Sequence, residues 1–283
     1  MPAIGIIGGS GVYEIEGISV KKTLAIKTPF GKTSDKIVIA DVAGKEVAFL
    51  PRHGKGHFYS PSTVPVKANV WALKSIGVRK VIAISAVGSL KKEIAPQHFV
   101  VPNQIIDRTK SRPSSFFEEG VVGHVGFADP FCQELSDFLY NTIHEINVVP
   151  VHREITYLCM EGPQFSTRAE SNLYRSWGAG IIGMTALPEA KLLREAEICY
   201  GMIALSTDYD CWHEEDVTIE MVVKNMSANV ANIKKILPEL IRRLDINDCV
   251  CEKAAAFAIM TDKKIIPSKT KKKLALLYEK YWK

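Results

Sequence analysis

At 283 residues the chain is long enough for one large α/β domain or two small ones, and long enough to bury a core without staples. Hydrophobic residues make up 47% and charged residues 24%, the balance of a globular protein. No apolar run reaches the length of a membrane span. The start Met1-Pro2-Ala3-Ile4-Gly5 has no basic region ahead of its apolar residues, so no signal peptide is expected and the chain reads as cytoplasmic. The net charge of +5 is concentrated at one end: from Lys263 to Lys283 eight lysines face one acid, Glu279, which leaves the rest at −2. The body carries no basic stripe, so neither a nucleic-acid nor a membrane partner is expected. The tail reads as a solvated helix.

Cysteines stand at 132, 159, 199, 211, 249 and 251. None lies in a Cys-x-x-Cys pair, so the spacing gives poor support for a zinc site, and the six read as buried thiols. Only four glutamines among many lysines, isoleucines and glutamates lean toward a thermophile. Disulfides persist inside such cells. Cys249-Val250-Cys251 therefore reads either as a bridged or redox-sensitive element or as two free thiols.

In chain order, Ile4 to Ile7 forms a short buried strand that runs into Gly8-Gly9-Ser10-Gly11. Exposed amides there, with the Ser10 hydroxyl, can hold an anion. The spacing is not that of a dinucleotide fingerprint. Gly31-Lys32-Thr33 resembles the end of a triphosphate-binding loop, but Ile26 stands where the first glycine is required, so that reading is rejected. Residues 36–50 alternate apolar and polar as two strands joined at Ala43-Gly44. They deliver Pro51-Arg52-His53-Gly54-Lys55-Gly56-His57, where Arg52 offers a planar fork for phosphate or carboxylate and His53 and His57 add donors.

A helix is predicted from Val66 to Ile76, ended by Gly77, then a strand Val81–Ile84 and a small-residue loop from Ser85 to Leu90. Gln104 to Asp129 reads as long and irregular, with Arg108, Arg112, Phe116, Phe117 and His124; such segments are functional or lie at an interface. A helix over 130–147 and a strand Val151–Met160 follow. Glu161-Gly162-Pro163-Gln164-Phe165-Ser166-Thr167 breaks the chain before another helix, presenting Phe165 either as a platform for a base or as a core plug. The strand Ala179–Met184 gives way to Thr185-Ala186-Leu187-Pro188-Glu189.

The organising stretch comes next: a buried strand from Ile198 to Leu205 that ends in Ser206-Thr207-Asp208-Tyr209-Asp210. Two carboxylates just past a strand's carboxyl end stand where open α/β sheets place ligands. In an extended segment residues i and i+2 share a side, so Asp208 and Asp210 are expected to face one pocket. Like charges that close raise one another's pKa. A protonated carboxyl can then donate to a ring nitrogen while its neighbour accepts from an amino group, which suits an aminopurine; two solvated acids in a turn are the alternative. A long helix from Thr218 to Leu244, kinked at Pro238, carries Ile219, Val222, Val223, Met226 and Val230 on one face, most of it core.

Several of these motifs occur in a fixed order: Gly-Ile-Ile-Gly-Gly-Ser-Gly, Pro-Arg-His-Gly, Ser-Ala-Val-Gly-Ser-Leu, Glu-Gly-Pro-Gln-Phe-Ser-Thr-Arg-Ala-Glu, Met-Thr-Ala-Leu-Pro-Glu and Thr-Asp-Tyr-Asp-Cys-Trp. Together they resemble the trimeric purine nucleoside phosphorylase family, and within it the branch acting on S-methyl-5′-thioadenosine, from about Ile4 to Leu240. The resemblance implies a three-layer α/β/α fold with a mixed, twisted, partly barrel-like sheet. It implies one phosphorylase domain over residues 1–248, with 249–283 as a lysine-rich tail or helix packed on it or extending from it.

By position, the resemblance puts phosphate at Ser10, Arg52, His53, Ala86 and Thr185. The ribose and its 5′ group fall to Ser85, Met184, Phe165, Ile219, Val222 and Val223. The purine falls to Ser166, Thr207, Asp208 and Asp210. His124 would reach a neighbouring subunit's site, which implies a homotrimer; pairing of trimers into hexamers stays open. The implied reaction is phosphorolysis by a pentosyltransferase, giving adenine and 5-methylthioribose 1-phosphate in purine and methionine salvage. Asp210 would donate the proton to the purine and Asp208 would orient it. No metal or organic cofactor is implied, phosphate being a co-substrate. Asp at 210, where enzymes of 6-oxopurines are expected to carry Asn, favours adenine. A broad or 6-oxopurine phosphorylase remains the alternative.

Overall fold

In the computed structural model, residues 1–9, 18–118, 120–213 and 218–282 are described, with Ile219 described in its backbone only. The elements are β1 (Ile4–Gly8), β2 (Ser19–Leu24), β3 (Lys27–Thr28), β4 (Gly31–Lys32), β5 (Ile37–Val42), β6 (Lys45–Pro51), α1 (Val66–Ser75), β7 (Lys80–Ser89) and β8 (Phe99–Arg108). They continue with α2 (Gln133–Ile146), β9 (Val151–Met160), α3 (Arg168–Ser176), β10 (Ile181–Gly183), α4 (Glu189–Glu195), β11 (Cys199–Asp208), α5 (Ile219–Arg243) and α6 (Ser268–Trp282).

Strand β11 is buried at all ten positions. A strand can be so only if both edges are paired and both faces covered. Its edges pair with β7 in parallel and with β8 antiparallel. The sheet runs β10-β9-β8-β11-β7-β1-β6-β5-β2, and β10 also pairs antiparallel with β7. Strands β7, β11, β8, β9 and β10 thus close a five-stranded ring, from which β1, β6, β5 and β2 extend as an open arm. This is the mixed, partly barrel-like sheet expected from the sequence.

Alternation of side chains assigns the two faces. Tyr200, Met202 and Ala204 join Val70 and Leu73 of α1, Leu192 and Leu193 of α4, and Leu274, Leu277 and Tyr278 of α6. Cys199, Ile203 and Leu205 turn the other way, to Leu135 and Leu139 of α2 and to Ile233, Ile236, Leu237 and Leu240 of α5. Helices therefore cover both faces, giving the three layers. The tail is not merely solvated: Leu277 and Tyr278 are at most 3% exposed, and Lys273 pairs with Glu118 at 2.7 Å.

Most boundaries fall where turn and cap chemistry put them. Ala43 and Gly44 both take positive φ between β5 and β6, the backbone a tight hairpin needs. Gly77 closes α1 with φ +89°, and Thr167 with Glu170 forms a reciprocal capping box at α3. Three sequence expectations are corrected. The expected loop from Ser85 is strand as far as Ser89, because β11 and β10 pair along it. The irregular segment begins as β8, which reaches Arg108 beside β9. Strand β11 continues past Leu205 to Asp208.

Candidate active site

Along one edge of the sheet lies an open cavity of about 490 Å³. Its floor is built by strand ends: Gly9 after β1, Arg52 and His53 after β6, Ser85 to Gly88 in β7, Met184 and Thr185 after β10, and Thr207, Asp208 and Asp210 at the end of β11. Phe165 and Met160 form one wall, and Val222 and Met226 of α5 another.

The carboxylate end of β11 owes its geometry to an irregularity. Ser206 pairs with Val87 and Asp208 with Gly88, so two residues of β11 advance against one of β7. Such a bulge re-aims the next side chain. Asp210 then takes φ +51°, in a short turn. The two acids line the same cavity, but through a bulge and a left-handed residue, not through the i, i+2 alternation of an extended chain. Gly88 makes room: a Cβ there would stand 2.9 Å from Asp208 Oδ1. Trp212 ties the turn down, donating from Nε1 to Ser89 O at 2.7 Å beneath the Arg175 guanidinium.

The two carboxyls are not equivalent. Asp208 Oδ1 accepts from the Asp210 amide at 2.9 Å, and Oδ2 accepts from the Thr207 hydroxyl at 2.7 Å. Asp210 Oδ2 is buried with no partner. Burial raises the pKa of both above the ordinary carboxylate range, and the Asp208 charge adds to the rise at Asp210. Asp208 is pinned through both oxygens, whereas Asp210, approached by the Ser171 hydroxyl and the Cys211 amide, keeps one oxygen, Oδ2, open to hold or give a proton. Behind them, Asn225 donates to Thr207 O and Asn229 to Ser206 O, both at 2.8 Å, locking β11 to α5.

At the other end of the cavity, Arg52 is almost fully buried and its fork is spoken for. Nε and Nη2 donate to the two carboxylate oxygens of Glu189 at 3.0 and 3.1 Å, and Nη1 donates to Ile84 O at 3.1 Å. Tyr200 OH also donates to Glu189. The guanidinium is thus held rigid by a buried carboxylate. His53 Nδ1 donates to Tyr59 O at 2.9 Å, since a carbonyl can only accept, and its ring stacks on His57. Burial, helped by the Arg52 charge, pushes its pKa down to about 4. Near neutral pH the imidazole is uncharged and Nε2 is an acceptor. Ser85 and Thr185 hydroxyls meet at 2.6 Å between the two ends.

Of the residues singled out in the sequence, Arg52, His53, Ser85, Ala86, Phe165, Met184, Thr185, Thr207, Asp208, Asp210 and Val222 all line the cavity. Phe165 is 65% exposed, so it is no core plug. Ser166 stands behind, its hydroxyl toward Met160 Sδ. Val223 is 58% exposed and does not line the cavity; Met226, one helical turn after Val222, takes its place on the apolar wall. His124 is exposed, and its backbone pairs with Ala258, away from this cavity. Ser10, the Glu214–Asp216 connection and the Ile219 side chain lie outside the described residues.

Sequence reasoning missed the supports. Glu189 and Tyr200 look like ordinary helix and strand residues. Arg112 was noted only within the irregular segment, yet its buried head donates to Met184 O and Leu187 O at 2.7 Å and so shapes the Thr185 loop. An arginine ahead of a proline, among serines, was its only signal.

A family model described as the phosphorylase superfamily matches residues 3–242. The chain is 51% identical over 282 residues to an S-methyl-5′-thioadenosine phosphorylase of Geobacter sulfurreducens, with 98% of each chain covered. Among solved structures it is similar to a methylthioadenosine phosphorylase from an antarctic soil metagenomic library, with TM-score 0.93, 43% identity and 98% of each chain covered. It is also similar to the methylthioadenosine phosphorylase from Schistosoma mansoni in complex with adenine, with TM-score 0.83, 33% identity, and 99% of this chain and 98% of that one covered.

Proposed function

The chain belongs to the phosphorylase superfamily, and on that premise we propose that it is a pentosyltransferase that splits S-methyl-5′-thioadenosine with inorganic phosphate. The products are adenine and 5-methylthioribose 1-phosphate. The observation that carries this reading is the unequal carboxyl pair: a pinned Asp208 beside an Asp210 whose Oδ2 is buried and unpartnered.

The glycosidic bond at C1′ loosens first and the sugar becomes oxocarbenium-like. The purine leaves readily only if its developing charge is neutralised at N7. Asp210, its pKa raised by burial, supplies that proton as a general acid. Asp208 accepts from the 6-amino group, an interaction that a 6-oxo group would turn into repulsion. Phosphate, at the Arg52 and His53 end, stabilises the cation and then captures it. Arg52 presents its remaining N–H and its charge there, while neutral His53 accepts from the hydroxyl of hydrogenphosphate through Nε2. Thr185 and Ser85 add hydroxyls, and the Ala86 amide completes the anion site. Val222 and Met226 give the 5′ end an apolar wall suited to an alkylthio group. The protein's own donors and acceptors perform each step, with phosphate as co-substrate and no cofactor.

The chain acts as a cytoplasmic homotrimer in this reading. Exposed His124 sits beside Val122, Phe257 and Met260, apolar side chains that are 52%, 98% and 67% exposed. An apolar cluster of that kind fits a subunit interface that would bring His124 to a neighbour's cavity. The described residues contain no helix long and apolar enough to cross a membrane.

The test follows adenine and sugar phosphate formed from methylthioadenosine with and without phosphate, with inosine as a second substrate and light scattering for mass. Phosphate-dependent adenine release with little inosine cleavage, from a particle of three chains, is the expected result. Release without phosphate would make the chain a nucleosidase, and dominant inosine cleavage would overturn the purine assignment.

A further inference from the structure

Four of the six cysteines meet at the end of β11 remote from the cavity. Cys132 is the N-cap of α2, Cys199 opens β11, and Cys249 and Cys251 flank Val250 in a turn after α5. All four are buried, and their Sγ atoms lie within 4.8 Å of one another, with Cys132 and Cys249 at 3.6 Å. All six cysteines are free thiols. No spacing rule reveals this cluster, because three separate segments deliver it.

We propose that Cys132, Cys199, Cys249 and Cys251 bind a single zinc ion as a closed, structural tetrathiolate site. Four thiolates at the usual zinc–sulfur distance of about 2.3 Å stand about 3.8 Å from one another, within the spread that the four sulfurs already show. Two disulfides would need the sulfurs to be close only in pairs; here all six pairs are close. An all-sulfur donor set selects zinc or iron over hard cations, and a multi-iron cluster holds its thiolates farther apart than one ion does.

Cys132 stands at a helix N-terminus, which favours its thiolate. Zinc binding displaces the thiol protons to solvent and needs no oxidant or reductant.

The consequence is mechanical. Arg79 already clamps this turn to the base of the sheet, donating to Glu252 at 2.8 Å and to Asp248 at 2.6 Å. The ion adds a cross-link from the segment after α5 to β11 and α2. From there the chain continues to α6, which covers the opposite face of the sheet. With all four positions taken by protein, the ion has no open site and takes no part in the reaction.

The experiment uses the full chain purified without chelator. Zinc and iron are counted by plasma mass spectrometry, thiols are titrated before and after denaturation, and the intact mass is recorded. About one zinc per chain is expected, with the four cluster thiols unreactive until denaturation. Stripping the zinc should lower Tm, and adding zinc chloride should restore it. C251S should lose the bound zinc, with kcat/KM per folded chain within about twofold of wild type. Should C251S not fold, the wild-type chain produced with cobalt should show the visible bands of a tetrahedral cobalt thiolate. A metal-free chain with all thiols reactive would overturn the proposal. So would a chain lighter by the four hydrogens of two disulfides, or one carrying iron at these thiolates.

Discussion

The two ends of β11 are equally hidden and differently made. Cys199 at one end and Asp208 at the other are both buried, about 30 Å apart along the strand. At the thiol end the register with β7 is regular and the sulfurs face one another. At the carboxylate end a bulge, a left-handed aspartate and an orphaned carboxyl oxygen gather within five residues. Buried thiols cost little, whereas a buried carboxyl without a partner costs free energy unless it holds a proton. The costly departures collect where ligand must be met, and the same strand is conventional where it only has to hold.

Altering the supports at each end tests this contrast. The largest effect is expected from Glu189→Ala, which leaves the buried Arg52 guanidinium unpaired. A stability loss of about 3–5 kcal/mol, read from denaturant unfolding, should accompany loss of phosphate binding. A change below 1 kcal/mol would mean that Arg52 is not rigidly paired. Next is the apolar wall. Met226→Gln should lower the ratio of kcat/KM for methylthioadenosine over adenosine by about tenfold, the scale of one mismatched apolar contact; an unmoved ratio would remove α5 from the 5′ subsite.

The smallest effect is a pH slope. His53 has its folded pKa depressed to about 4 against an ordinary 6.5. Between those values the unfolded chain binds the proton and the folded chain does not, so stability falls as pH drops from 6.5 toward 4. His53→Gln should flatten that slope by up to about one proton per chain, measured by unfolding across this pH range. An unchanged slope would place the imidazole in contact with water.

Much of this could be read from residues alone, where local chemistry has one solution. Strand β9 follows Val151 to Met160 as predicted, and Thr167 with Glu170 announces α3. The cavity's polar lining was legible because small, hydroxyl and charged residues recur after apolar runs. What was illegible depended on pairing at long range. Ser85 to Ser89 looks like a loop until β10 closes the ring beside it. Glu189 gains its meaning only from Arg52, 137 positions away. Val223 and Met226 are both spaced for one helix face, and only the packed helix shows which of them the cavity meets. The thiol cluster escaped for the same reason, since three segments bring its sulfurs together.

The most direct measurement is adenine release by Asp210→Asn, paired with its thermal unfolding. Removing a buried proton donor that no other group replaces should lower kcat/KM for methylthioadenosine by about 10²–10⁴-fold. The melting temperature should stay level, because the amide has the size and shape of the protonated carboxyl it replaces. A wild-type rate in that variant would contradict the claim that the carboxylate end of β11 drives departure of the purine.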